Sequence, residues 1–172
     1  MPAEDNSAVM GIDVGLSGGI AVISKSGMVV TQPMPAIPSG KGGGKLLSLN
    51  MLLVALAAWS GNIRMCFVEF VSARPGQSAP STFKFGRVFG STEALLVAVN
   101  IPYTLVTSRQ WTQEMHQGTS GDDPKKKSLS AVARLFPRTD LRRTEKCTTM
   151  DSGMVDALLI AEYGRRKIWG VK

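Results

Sequence analysis

The chain has few of the residues that cross-link or metallate small proteins. Its 172 residues include two cysteines and one histidine. Cys66 and Cys147 stand far apart, which argues against a disulfide-rich secreted scaffold. With His116 they are too few for a Cys/His zinc site. Cys66 reads as a buried thiol and His116, in a polar stretch, as an exposed bystander. Long apolar runs are also missing. The most apolar stretch, residues 46–59, is interrupted by Ser48 and Asn50 and is too short to cross a bilayer as a helix. The opening residues carry acids and no basic segment before an apolar run, unlike a secretory signal. The expectation is a soluble intracellular protein with no membrane partner.

Charged residues are 19% of the chain, yet 44% is hydrophobic, so a core can form and disorder by composition is excluded. The mass of 18.4 kDa fits one domain. Lys and Arg number 20 against 13 Asp and Glu, a net charge of +7. That balance favours a polyanionic partner and says nothing about fold.

Residues 8–14, 20–23 and 28–31 are short apolar segments separated by turn residues, and read as a three-strand meander. Residues 46–58 read as a largely buried helix, because apolar positions nearly encircle it. A strand is expected at 64–70, a helix at 81–99, a strand at 102–107 and a brief helix capped by Ser108 around Trp111. Further helices are expected at 125–136 and from about 153 to 165. Gly86 and Gly90 share one face of the long helix, which suits a neighbouring helix or a bulky ligand. Such an order predicts an α/β fold: one mixed five-stranded sheet, an antiparallel meander plus two parallel strands, with helices on both faces. Residues 40–45 read as a mobile, Gly-rich basic loop holding Lys41 and Lys45. This loop fails the phosphate-binding P-loop pattern at both ends, with Ser39 and Leu46 at the defining positions, so no nucleotide cofactor is expected.

Three acids interrupt apolar segments: Asp13, Glu69 and Asp156. An ionised carboxylate in such a setting is costly without a partner, and no matching basic residue lies within the same elements. Either each acid is capped or paired separately, or together they hold a divalent cation such as Mg²⁺, which prefers carboxylate oxygen. Two such ions can serve phosphodiester hydrolysis, one activating water and one stabilising the departing 3′ oxygen. Asp151 lies five residues before Asp156, about 140° off its helical face. It converges with the others only if it precedes the helix or bends back at Gly153; the alternative is a plain N-cap.

Three blocks, in this order, resemble the RuvC-type Holliday junction resolvases of the ribonuclease H-like superfamily. The first is Gly11, Ile12, Asp13, Val14, Gly15 and Gly18. The second is Val68 and Glu69, followed by Ala73 to Gln77, Ser81 to Arg87, and Gly90. The third runs from Asp151 through Asp156 to Gly164. The likeness is greatest to the phage and plant-organelle branch, whose wider acid spacing Asp151 and Asp156 share. It implies a nuclease domain over residues 8–166, a flexible segment 1–7 and a tail 167–172.

By this resemblance Asp13, Glu69, Asp151 and Asp156 are the catalytic acids and ligands of two Mg²⁺ ions, with Mn²⁺ as a substitute. Ser152 stands where that branch commonly has histidine. The implied partner is a four-way DNA junction, cut by a homodimer in paired symmetric nicks that leave 5′-phosphate and 3′-hydroxyl ends. Gln77, Ser78, Phe83, Lys84, Arg87, Lys125, Lys126, Lys127, Arg142, Arg143 and Lys146 are the DNA-binding candidates. Among these the run 125–127 is equally a solvated charge face, and packing is the default for two of Phe83, Phe85 and Phe89. The setting implied is the cytoplasm of a bacterium or phage-infected cell rather than an organelle. The alternatives are a ribonuclease H-like nuclease for other branched DNA or RNA–DNA hybrid, and a catalytically weak junction-binding protein.

Overall fold

The computed structural model describes residues 7–40, 44–72 and 76–171. Five strands form one sheet in the order β3-β2-β1-β6-β7. They are β1 (Ala8–Asp13), β2 (Gly19–Ser24), β3 (Val29–Pro33), β6 (Ile63–Phe70) and β7 (Tyr103–Thr107). The first three pair antiparallel, and β6 joins β1 and β7 in parallel. This is the sheet that the apolar segments predict.

A two-stranded hairpin was not foreseen: β4 (Ala36–Pro38) pairs with β5 (Lys45–Leu47). It absorbs Lys45 from the expected loop and delays helix α1 to Leu49–Ala57, behind an Ser48 N-cap. The expectation of a largely buried helix here is wrong. Only Leu52 and Leu56 are buried, while Leu49, Met51, Leu53 and Val54 are exposed. The apolar girdle of α1 meets the sheet on one stripe alone. Lys41 and Pro75 lie outside the described residues, as do the other residues of 1–6, 41–43 and 73–75.

The remaining helices are α2 (Ala79–Ala98), α3 (Ser108–Met115), α4 (Pro124–Leu135) and α5 (Ser152–Trp169). Thr107, rather than Ser108, caps α3, in a capping box with Gln110. The last helix continues past residue 165 into the stretch expected as a tail, and ends on Gly170 in the left-handed region at φ 65°. No helix among the described residues is long and apolar enough to cross a membrane.

Strand alternation divides the core in two. Met10, Ile12, Val22, Cys66 and Val68 face one side with Leu52, Leu56, Val88 and Leu96 of α1 and α2. Val9, Ala21, Ile23 and Phe67 face the other, with α3, α4 and α5. Cys66 is buried, as expected, and burial pushes its thiol pKa up.

Helix α5 is buried around most of its circumference from Gly153 to Gly164, far more than the single stripe of Ala157, Leu158, Ile160 and Ala161 that its sequence suggests. Close packing explains this. A Cβ on Gly11 would lie 2.3 Å from the Ala161 backbone N, so the missing side chain lets α5 press against β1. Glu162, the acid farther along this helix, is buried and ion-paired with Arg165 and Arg166.

Candidate active site

Period two places residues 9, 11 and 13 of β1, and 67 and 69 of β6, on the sheet face covered by α5. Asp13 and Glu69 therefore emerge side by side at the carboxyl ends of adjacent parallel strands, next to the register pair Ile12 and Val68. That end of a parallel sheet is the usual ligand site of open α/β folds. Asp156, on α5, faces the same point. Asp13 shares a hydrogen bond with Glu69 and feels the charges of Asp156 and Asp151.

Electrostatics sets these acids apart from Glu162. Burial pushes the Asp13 carboxyl up to about 8, reinforced by Glu69, Asp156 and Asp151, with no cation offsetting them. Asp156 is raised to about 6, again first by burial; a Ser128 hydrogen bond and Lys125 pull the other way and Glu69 adds to the rise. Glu69 is buried, and its Oε1 accepts from Ser108 Oγ at 2.5 Å and Trp111 Nε1 at 3.1 Å.

Asp151 is committed elsewhere. It is the N-cap of α5, with Oδ1 accepting from the Gly153 and Met154 N–H groups at 3.1 Å each. Its Oδ2 accepts from Arg143 Nε at 2.7 Å. Both sequence readings of Asp151 hold in part: it precedes the helix, and it caps it.

The end of α5 is pinned by glycines. Gly18 and Gly153 form a parallel bridge. A Cβ on Gly153 would lie 2.2 Å from the Ser17 carbonyl oxygen, and one on Gly18 2.0 Å from that of Asp13. Position 153 therefore cannot carry an acid, although it is the residue three before Asp156.

Among the described residues no three Asp, Glu, His or Cys side chains stand ready to hold one ion together. The donor set nevertheless suits a hard divalent cation. It is all oxygen, burial together with the neighbouring acids raises Asp13 far above the carboxylate range, and it lacks the arginines that neutralise Glu162.

A cleft of about 440 Å³ opens beside Asp13. The turn after β1 forms one wall, and Gln77, Ser81, Lys84, Phe85 and Val88 form the other, with Ser152 at the end of α5. A narrower groove of about 130 Å³ continues from it past Leu16 and Lys84 to Arg87 and Lys45. Gln77, Lys84 and Arg87 thus line one continuous path. Ser78 is spent as the N-cap of α2, receiving the Ser81 N–H.

Phe83 is 68% exposed, Phe85 lines the cleft, and Phe89 packs on the core and edge-on to Phe70. Lys125, itself exposed, lowers the Asp156 carboxyl, and Lys127 lowers the His116 imidazole. Lys126 and Lys146 are exposed. Arg142 is bound to Asp140 at 2.7 Å. None of Phe83, Lys126, Arg142 and Lys146 lines the cleft.

Sequence reasoning missed Ser108, Trp111 and Ser128 as partners of the acids, and misread His116. The histidine is half-buried, with Nε2 3.1 Å from Ser128 Oγ. Two signals were available. A buried indole needs an acceptor. Ser128 also shares the buried stripe of α4 with Ala131 and Val132, where a hydroxyl needs a partner.

No protein-family model and no curated protein matches the chain. Solved structures do. Thermus thermophilus RuvC superposes with TM-score 0.58 at 17% identity, over 95% of this chain and 96% of that one. The chain has the RuvC-like ribonuclease H fold. RuvC of T. thermophilus in complex with a Holliday junction substrate gives TM-score 0.56 at 13% identity, over 95% and 96% of the two chains. The yeast mitochondrial Holliday junction resolvase Ydc2 gives 0.57 at 14%, over 95% of this chain and 82% of its own.

Proposed function

We propose that this protein is a divalent-metal-dependent, structure-selective endonuclease that resolves four-way DNA junctions. One observation carries the reading. Acids from three separate elements come together, Glu69 and Asp156 both acting on Asp13, and Asp13 lines a cleft walled by Gln77 and Lys84. The fold, common to RuvC and Ydc2, supports it.

Asp13, Glu69 and Asp156 would hold two Mg²⁺ ions, or Mn²⁺ in their place. When bound, the ions supply an activated water and charge stabilisation at the departing 3′ oxygen, leaving 5′-phosphate and 3′-hydroxyl ends. The chain's own residues do the rest. Ser108 and Trp111 fix Glu69 so that Oε2 is the oxygen left to face Asp13. Asp151 holds the end of α5 in place; it becomes a fourth ligand only if Arg143 exchanges it for a phosphate. Lys84 and Arg87, three apart on α2, neutralise phosphates along the cleft and groove, and Lys125 supplies charge beside Asp156. Exposed Phe83 is the one phenylalanine of the three free to wedge into an open junction centre.

The wide acid spacing supports a likeness to the phage and plant-organelle branch, and the glycine contacts at 153 bar an acid from the closer position. Two opposed strands require two sites, and a symmetric junction suits a twofold dimer. Exposed Val97 shares the α2 face of Gly86 and Gly90, where, among the described residues, nothing beyond the helix's own backbone lies within 4 Å of a Cβ built at either glycine. We assign this face to the partner copy.

The deciding experiment is cleavage of a four-way junction, a flap, an RNA–DNA hybrid and a linear duplex in Mg²⁺. Paired symmetric nicks in the junction, abolished in Asp13→Asn and Glu69→Gln with junction binding kept, support the proposal. Preferred cutting of the flap or hybrid, or binding without cutting in both Mg²⁺ and Mn²⁺, overturns it.

A further inference from the structure

Two connections lead from the carboxylates to a single side chain. Trp111, whose Nε1–H donates to Glu69, meets the His116 ring edge-on, with centroids 5.8 Å apart and planes at 82°. Ser128, which holds the Asp156 carboxyl down, lies 3.1 Å from His116 Nε2. The backbone of His116 is held as the C-cap of α3: its N–H donates to Thr112 O at 2.9 Å, and its carbonyl accepts from Thr119 Oγ1 at 2.6 Å. The chain's one histidine thus touches two residues that act on the acids, one for each of Glu69 and Asp156.

We propose that His116 is a positioning residue for Glu69 and Asp156, acting on the first through Trp111 and on the second through Ser128. This rests on the reading of both acids as divalent-ion ligands. The serine hydroxyl has one proton to give. When His116 Nε2 carries a hydrogen, Ser128 accepts it and turns its own proton to Asp156. When Nε2 is bare, Ser128 donates to the ring and Asp156 loses a donor. An apolar residue at 116 leaves the hydroxyl undirected. On the other branch, the imidazole edge blocks rotation of the indole that would withdraw Nε1–H from Glu69. Groups behind metal ligands in this way set ligand orientation and affinity.

The test uses the full chain and Mg²⁺ alone, without DNA. Calorimetry compares wild type, His116→Ala, His116→Gln and Ser128→Ala, with melting temperature as the check on folding. The Trp111 indole N–H resonance is followed in metal-free protein. His116→Ala should weaken Mg²⁺ binding about tenfold or more and shift the indole resonance. His116→Gln keeps a donor amide and should stay within about threefold of wild type. Should His116→Ala not fold, Ser128→Ala removes one hydroxyl alone and should weaken Mg²⁺ binding in the same direction. Wild-type affinity in folded His116→Ala or in Ser128→Ala overturns the inference, as does His116→Gln losing as much as His116→Ala. A wild-type protein that binds no Mg²⁺ overturns the metal-site reading itself, so the two failures are distinct.

Discussion

Asp13 and Glu69 end neighbouring parallel strands and share a hydrogen bond between their carboxyl groups. Two acids in that relation cannot both ionise cheaply in a buried setting. The cost falls on Asp13, which has no basic side chain to offset it.

A pH dependence of stability follows. The carboxyl of Asp13 is raised in the folded protein to about 8 from an ordinary value of 3.8, so the unfolded chain releases this proton first. Its favourable contribution is complete below about pH 4 and is lost as pH rises to about 8. Thermal melts in chelator from pH 5 to 9 should show a falling melting temperature. Asp13→Asn should flatten the fall and melt above wild type at pH 8. Added Mg²⁺ should restore wild type but not Asp13→Asn. A pH-independent difference between the two proteins would contradict this account.

Gly153 bears on the site without touching it chemically. A methyl group there collides with the backbone at Ser17 and Gly18, where no flexible side chain can yield. Gly153→Ala should destabilise the protein by about 2–3 kcal/mol or displace the end of α5. Denaturant melts together with Mg²⁺ affinity would detect either outcome. An alanine variant unchanged in both would show that the contact is looser than described.

Trp111→Phe keeps an aromatic ring in the core and deletes the indole N–H. Glu69 Oε1 then retains only Ser108 as a donor. The expected loss is about 1–3 kcal/mol, the range for a hydrogen bond to a buried charged group. It should be smaller in Trp111→Phe combined with Glu69→Gln, which a double-mutant cycle measures. Additive losses would separate Trp111 from Glu69.

Junction binding should weaken steeply with salt if phosphates dominate the contact. Lys84→Ala and Arg87→Ala should each lower the slope of log affinity against log salt by about 1. Lys146→Ala, on an exposed loop that does not line the cleft, should change it less. Equal effects at all three positions would move the DNA path away from the cleft.

The α2 face gives a prediction for assembly. Gly90→Glu puts a charge beside Gly86 and Val97 without its Cβ meeting any described residue outside the helix's own backbone. It should leave the fold intact and raise the dimer dissociation constant at least about tenfold, the scale of a buried unpaired charge. Sedimentation equilibrium measures it. An unaltered constant would place the interface elsewhere.

Much of this molecule is local in origin. Alternation along residues 8–13 and 63–70 settles which side chains share a face, so the sequence by itself determined that Asp13 and Glu69 point the same way once the strands pair. Period, turns and caps likewise determined the meander, α2 and α4. The α1 region misled because apolar content measures what a helix can bury, whereas only packing decides how much of it meets a neighbour. Tertiary structure alone decided that Asp151 is tied to Arg143, that Trp111 and Ser128 reach the acids, and that His116 stands between them. Those contacts join residues from separate elements. No periodicity carries information between such elements, because it is the crossing of helices over the sheet that sets which polar tips meet.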